Sequence, residues 1–172
     1  MEIIRCNALQ HASPILGILN EAIAHSTALY EYRPRAPESM EGWFAEKAAG
    51  RFPVLGAQED TALLGFATYG TFRARAAYKY SVEHSVYVHK DHRGRGLGTA
   101  LMQALIAAAR EQQYHVMVGG IDVANATSVV MHERLGFTHA GTIRQAAFKF
   151  GRWLDLGFYQ LILETPLQPV DG

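Results

Sequence analysis

The sequence predicts an α/β fold in one domain: a mixed sheet of about seven strands with helices on both faces. Three observations predict it. Apolar runs of period two and stripes of period 3.6 follow one another in the order β-α-α-β-β-β-α-β-α-β-β. A strand, a glycine-rich loop and a long helix come in succession between Val86 and Gln112. The chain has 172 residues, 49% of them hydrophobic, which suits one sizeable core and not a disordered chain.

The first strand is read at Glu2 to Cys6. A helix follows from Ser13 to Ala24, with Ser13 as its cap and Pro14 in its first turn. Its apolar stripe is Ile15, Ile18, Leu19 and Ile23. A loop with two tyrosines and two prolines leads to a second helix, Pro37 to Gly50, whose Trp43 and Phe44 are assigned to packing. Phe52 to Gln58 and Leu63 to Thr71 form a hairpin around Glu59-Asp60. A loop rich in Arg, Ala and Tyr enters the strand Ser81 to His89. The glycine loop, a helix to Gln112, a strand from His115 to Ile121 and a helix from Ala126 to Leu135 come next. Two strands near Thr138–Arg144 and Gly157–Glu164 close the fold, with a turn near Gly151-Arg152-Trp153 and Trp153 assigned to packing. The domain is expected over residues 1–165, with 166–172 a flexible tail.

Sixteen basic and sixteen acidic residues balance, so nothing in the net charge calls for nucleic acid. Positive charge gathers locally at Arg73, Arg75, Lys79, Lys90, Arg93 and Arg95. The one cysteine, Cys6, excludes an internal disulfide and reads as a buried, inert thiol. No apolar run reaches the ~18 residues of a membrane span. The start, Met-Glu-Ile-Ile-Arg, carries no signal-peptide pattern, so a cytoplasmic protein is expected. His89 and His92 have His-x-x-His spacing without a convergent third ligand, so no metal is expected.

The most informative segment is Arg93-Gly94-Arg95-Gly96-Leu97-Gly98-Thr99, between a strand and a helix. Glycines let the main chain approach a ligand closely. A helix N-terminus and two arginines favour phosphate oxygens. The loop is not a P-loop, because no Gly-Lys-Ser/Thr follows. It fails the dinucleotide register at Thr99, which disfavours a nucleotide-dependent redox protein. What it matches is Arg-x-x-Gly-x-Gly. Downstream, Asn125-Ala-Thr-Ser128 opens a helix that ends at Gly136-Phe137.

These two motifs, in this order and at this separation, resemble the GCN5-related N-acetyltransferase (GNAT) family over nearly the whole chain. The resemblance implies a sheet whose two central parallel strands splay apart after the glycine loop to admit acetyl-CoA. It implies coenzyme binding by Val86, Tyr87, Val88, Arg93, Gly94, Arg95, Gly96, Leu97, Gly98, Thr99, Asn125 and Ser128. The stretches Val82-Glu83-His84-Ser85-Val86-Tyr87-Val88, Met131-His132-Glu133 and Phe148-Lys149-Phe150-Gly151-Arg152-Trp153 are similar to the phosphinothricin and methionine sulfone acetyltransferase branch. That branch implies a small amino-acid-like substrate and a homodimer.

The resemblance also distributes the chemistry. Glu83 becomes the base for the amine, the Val88 N–H the donor to the acetyl oxygen, and His132 the acid for the thiolate. Arg73, Ala74, Arg75, Tyr78, His84 and Ser85, with Glu83, become the substrate's contacts. Read on the residues alone, Glu83 is equally a solvated strand-end carboxylate, His132 a packed ring, and the arginines surface charge. The expected reaction is direct acetyl transfer to an α-amine. Its rivals are a broad L-amino-acid or other small-molecule N-acyltransferase and a non-catalytic acyl-CoA-binding sensor.

Overall fold

The computed structural model describes residues 1–171; Gly172, the end of the expected tail, lies outside them. The chain forms a seven-stranded mixed sheet in the order β1-β2-β3-β4-β5-β7-β6. In sequence, the elements are β1 (Glu2–Arg5), α1 (Ala8–His25), α2 (Ser39–Ala49), β2 (Val54–Glu59), β3 (Ala62–Thr71), β4 (Ser81–Val88), α3 (Leu97–Glu111), β5 (Val116–Asp122), α4 (Ala126–Arg134), β6 (Thr138–Lys149) and β7 (Arg152–Ile162). Two compact units divide these elements. One holds Met1–Gly70 and Ser85–Leu105, the other Thr71–His84 and the chain from Ile106 onward.

In the first unit α1 starts earlier than expected, at Ala8 rather than Ser13. The Asn7 side chain accepts from Gln10 N at 2.9 Å and caps the helix, a contact worth about 1 kcal/mol. Pro14 therefore lies inside the helix, where an interior proline costs about 3 kcal/mol. The helix survives because Ile15, Ile18, Leu19, Ala22 and Ile23 are buried, and a large aliphatic side chain gains roughly 1.5–3 kcal/mol on burial. That core continues through Met40, Val54, Leu63 and Phe66, with Trp43, Phe44 and Tyr87 packed on it. Cys6 packs there too, and burial pushes its thiol up to about 11, which leaves it unreactive. β1, β2 and β3 form antiparallel ladders. β3 is buried from Leu63 to Tyr69 on both faces, as a central strand must be.

In the second unit β4 and β5 run parallel. Their ladder pairs Ser81 with Val116, Val82 with Met117 and Glu83 with Val118. β5 pairs antiparallel with β7 from Val116–Ile162 to Asp122–Leu156. The C-terminal hairpin is longer than expected. β6 runs on past Arg144 to Lys149 and β7 begins at Arg152, because the turn is Phe150-Gly151, both at positive φ. The register shifts at a bulge between Ile143 and Ala147, braced by Gln145 N donating to Asp155 Oδ1 at 2.7 Å. Trp153, assigned to packing, is 58% exposed and meets Phe148 edge-on at 5.1 Å. Near the C-terminus, Val170 N donates to the Tyr80 hydroxyl at 3.1 Å.

Candidate active site

The glycine loop belongs to the first unit. After β4, His89 N donates to Leu64 O at 2.8 Å, and a single 3-10 turn, Lys90–His92, leads into the loop. Arg93 folds back on the strand it follows. Its Nε donates to Val88 O at 3.3 Å and its Nη2 to Glu21 Oε2 at 2.7 Å. Arg95 donates to both carboxylate oxygens of Glu59 at 3.2 Å. Gly94 and Gly96 lie at φ +78° and +77°, a region that side chains adopt at a cost. A Cβ at either would meet nothing within 4 Å, so the space above the loop is open. The helix bond from Ala100 N to Gly96 O, 3.1 Å, marks where α3 begins. The N–H groups of its first turn lack acceptors within the helix, and the helix dipole adds partial positive charge there. Leu97 is buried and pins the turn.

This loop fits a diphosphate. It has open space, positive-φ glycines, a helix N-terminus and two guanidinium groups. The two ion pairs are no obstacle. Both arginines are about half exposed, and such pairs contribute about 0–1 kcal/mol. A phosphate group bound by charge-assisted bonds outweighs them.

The second unit holds Glu83, His84 and His132. Glu83 is half-buried on β4. Desolvation raises its pKa, and the Arg73 charge opposes this in part. On the neighbouring strand β5, a Cβ on Gly120 would lie 3.4 Å from Glu83 Oε1. Arg73 lies over the Phe72 ring, 4.7 Å from its centre, and Tyr78 meets the same ring edge-on at 5.9 Å. Arg75 heads the 3-10 turn Ala76–Tyr78, and Ala74 and Arg75 are exposed.

His84, next along β4, points to the opposite side from Glu83 by the alternation of a strand. It is buried against His132 of α4. The Nε2 atoms are 3.1 Å apart and the rings stack at 4.9 Å with 17° between planes. Phe137 meets both rings edge-on. The stack needs a glycine opposite: a Cβ on Gly119 would sit 2.5 Å from His84 Nε2. The Asn-x-x-Ser motif acts here as a cap. Asn125 Oδ1 accepts from Ser128 N at 3.1 Å and starts α4, which sets the turn presenting His132.

Burial pushes the His84 pKa down to about 3, aided by His132, and lowers that of His132 against the Ser128 carbonyl. Both shifts favour the neutral ring in the folded protein, whereas in the unfolded chain the rings titrate near ~6.5. Below that pH the unfolded chain binds more protons. The stabilisation is therefore complete above pH ~6.5 and is lost as pH falls toward the folded values. Between pH 6.5 and 5 the loss reaches about 2 kcal/mol for His84. A thermal-melt series over that range should show the decline. His84→Gln should flatten it, and an unflattened slope would clear His84 as its source.

Of the expected site residues, Val86, Tyr87, Val88 and Arg93 to Thr99 therefore share the first unit, with Ser85 at its edge. In the second, His84, His132 and Ser128 come together, while Glu83 faces the other way, with Arg73 acting on it. Three features went unread in the sequence: the arginine partners Glu21 and Glu59, the His84–His132 pair, and the role of Gly119-Gly120. Adjacent glycines inside a strand, where they weaken it unless something approaches closely, were the available signal.

A sequence model of the Acetyltransferase (GNAT) family matches residues 19–137. The L-methionine sulfoximine/L-methionine sulfone acetyltransferase of Pseudomonas paraeruginosa is 45% identical over 151 residues, 87% of this chain and 88% of that protein. The phosphinothricin N-acetyltransferase of Streptomyces viridochromogenes is 36% identical over 157 residues, 90% of this chain and 84% of that protein. The structure of yncA from Salmonella typhimurium with its cofactor acetyl-CoA has a TM-score of 0.94 at 38% identity, covering 99% of this chain and 98% of that one. With the diphosphate-shaped loop, the strand that precedes it and a family match over most of the sequence, this chain belongs to the GNAT family and is an N-acetyltransferase.

Proposed function

We propose that this protein acetylates the α-amine of a small amino-acid analogue of the methionine sulfoximine, methionine sulfone or phosphinothricin type, with acetyl-CoA as co-substrate. The observation that carries the reading is a phosphate-shaped glycine loop at the end of the strand that bears a half-buried glutamate. The names of the relatives support the substrate class.

Arg93, Arg95 and the main-chain N–H groups from Gly94 to Thr99 hold the diphosphate. Val86, Tyr87 and Val88 offer main-chain bonds to the pantetheine arm, and Asn125 and Ser128 are assigned to the coenzyme as well. When bound, acetyl-CoA supplies an activated acetyl thioester. Glu83 takes the proton that the substrate's amine must lose. The Val88 N–H stabilises negative charge on the acetyl oxygen. His132 is the proton source for the departing sulfur. Arg73 and Arg75, with Ala74, Tyr78, His84 and Ser85, hold the substrate's carboxylate and side group.

Arg75→Ala should raise KM for acidic substrates roughly tenfold or more, the cost of a lost charge-assisted bond, with kcat little changed. Steady-state kinetics on phosphinothricin would check this, and unaltered constants would remove Arg75 from the substrate clasp.

A homodimer goes with this reading. Ile143, Phe148, Phe150 and Trp153 are large apolar side chains exposed along the β6–β7 hairpin, the kind of patch a second copy covers. Trp153→Glu should yield monomer in sedimentation runs. A cytoplasmic location fits the same reading, as the compartment that supplies the coenzyme.

The deciding experiment is thiol release from acetyl-CoA over phosphinothricin, methionine sulfone, methionine sulfoximine, ordinary amino acids and polyamines. Turnover concentrated on the first three supports the reading. Even turnover across L-amino acids points to a broad acyltransferase. Tight coenzyme binding without thiol release points to a sensor.

A further inference from the structure

The His84–His132 pair has only one arrangement of protons that its contacts allow. His132 Nδ1 lies 2.7 Å from the carbonyl oxygen of Ser128. A carbonyl only accepts, so Nδ1 carries a proton and donates it. The Ser128 hydroxyl, at 3.4 Å, is the longer contact. A neutral imidazole has a single N–H, so His132 Nε2 is a bare acceptor. His84 Nε2, 3.1 Å away, must supply the proton between the rings. Nothing is then left for His84 Nδ1. That atom is buried and has no hydrogen-bond partner. Phe137 packs edge-on against both rings, and Gly119 leaves the room that His84 fills.

A buried acceptor without a donor is costly and rare in folded proteins. Leaving one at the end of an ordered relay is explained if a ligand completes it. Both nitrogens of His132 are taken, one by a carbonyl and one by a ring. The nitrogen of the pair left without a partner is Nδ1 of His84, on the face of β4 away from Glu83.

We propose that His84 is the member of this pair that meets a reactant: its bare Nδ1 accepts a hydrogen bond from an N–H or S–H group of a bound ligand, and His132, held by the Ser128 carbonyl, is its positioning residue. The proposal rests on the acetyltransferase reading above and deepens it, because the proton exchange given to His132 then runs through His84. A proton arriving at His84 Nδ1 displaces the one on His84 Nε2 to His132 Nε2. The charge comes to rest on a doubly protonated His132 beside the Ser128 carbonyl, and the reverse shift returns the proton at His84 Nδ1. Two donors share this chemistry, the amine of the substrate and the thiol of free coenzyme A.

Long-range nitrogen–proton NMR of the imidazole rings in the full-length protein tests it. In the free protein, His84 should carry its proton on Nε2 and His132 on Nδ1. A proton on His84 Nδ1 overturns the proposal. Methionine sulfone and coenzyme A are then added separately. The one that moves the His84 Nδ1 resonance identifies the donor. If both bind and neither moves it, the proposal fails while the enzyme reading stands. Coenzyme binding is followed independently by the amide signals of Gly94 to Thr99. Silence there with added coenzyme would sink the coenzyme reading instead, and the ligand role of His84 with it. His132→Phe keeps the ring and removes its nitrogens. It should spread His84 over both tautomers and lower kcat/KM about tenfold with coenzyme affinity retained. A His132 that only packs would leave the His84 tautomer as it was.

Discussion

Glu83→Gln is expected to lower turnover by roughly two to four orders of magnitude while acetyl-CoA binds as before. Glutamine keeps the shape of the side chain and removes its capacity to take a proton. The half-buried setting raises the Glu83 pKa, chiefly through desolvation. That moves it toward neutrality, where a base works best. The wild-type kcat/KM should therefore fall on the acid side through a pKa above the ordinary glutamate range, and this limb should vanish in the variant. The fold should not suffer. A carboxyl whose pKa is raised on folding stabilises only at low pH, and that contribution is lost as pH rises through the raised value. At neutral pH the variant should be at least as stable as the parent. Steady-state rates across pH, with calorimetry for coenzyme affinity, check all three points. Unchanged turnover would remove Glu83 as the base.

Gly96→Val is expected to weaken acetyl-CoA binding by at least about a hundredfold. Gly96 sits at φ +77°, where a β-branched residue is strained by roughly 1–3 kcal/mol. A Cβ there would touch no protein atom within 4 Å, so the loss is not a clash within the fold. It comes from bending the loop and from filling the space a phosphate needs. Arg93→Ala should do less, a few-fold to tenfold. It removes one guanidinium but leaves the glycines and the helix N-terminus in place, and it frees Glu21 from a pair worth little. Titration calorimetry separates the two variants. Affinity untouched in Gly96→Val would end the phosphate-cradle assignment.

Element types were legible along the chain because they depend on residues a few positions apart. Boundaries were less so. The start of α1 turned on whether Asn7 or Ser13 caps it, and Asn7 does, through one bond to Gln10 N. Pro14 favoured the later start, but burial of the stripe from Ile15 to Ile23 outweighs its cost. The end of β6 was obscured by a bulge, whose extra residues break the alternation that marks a strand. Trp153 misled because size suggests burial, whereas its place beside a hairpin turn leaves it exposed.

The candidate site divides in the same way. The glycine loop, its positive-φ glycines and the helix that begins at Leu97 lie within one short segment, so amino-acid order alone determined them. The strand carrying Glu83 and the cap at Asn125 are local in the same sense. Only the tertiary structure decided that His84 meets His132, that Gly119 makes room for them, that Arg93 rests on Glu21, and that His84 is left with a bare nitrogen. Those contacts join residues far apart in the chain, and strand pairing and helix packing bring them together. No local pattern encodes which distant side chains will share a proton.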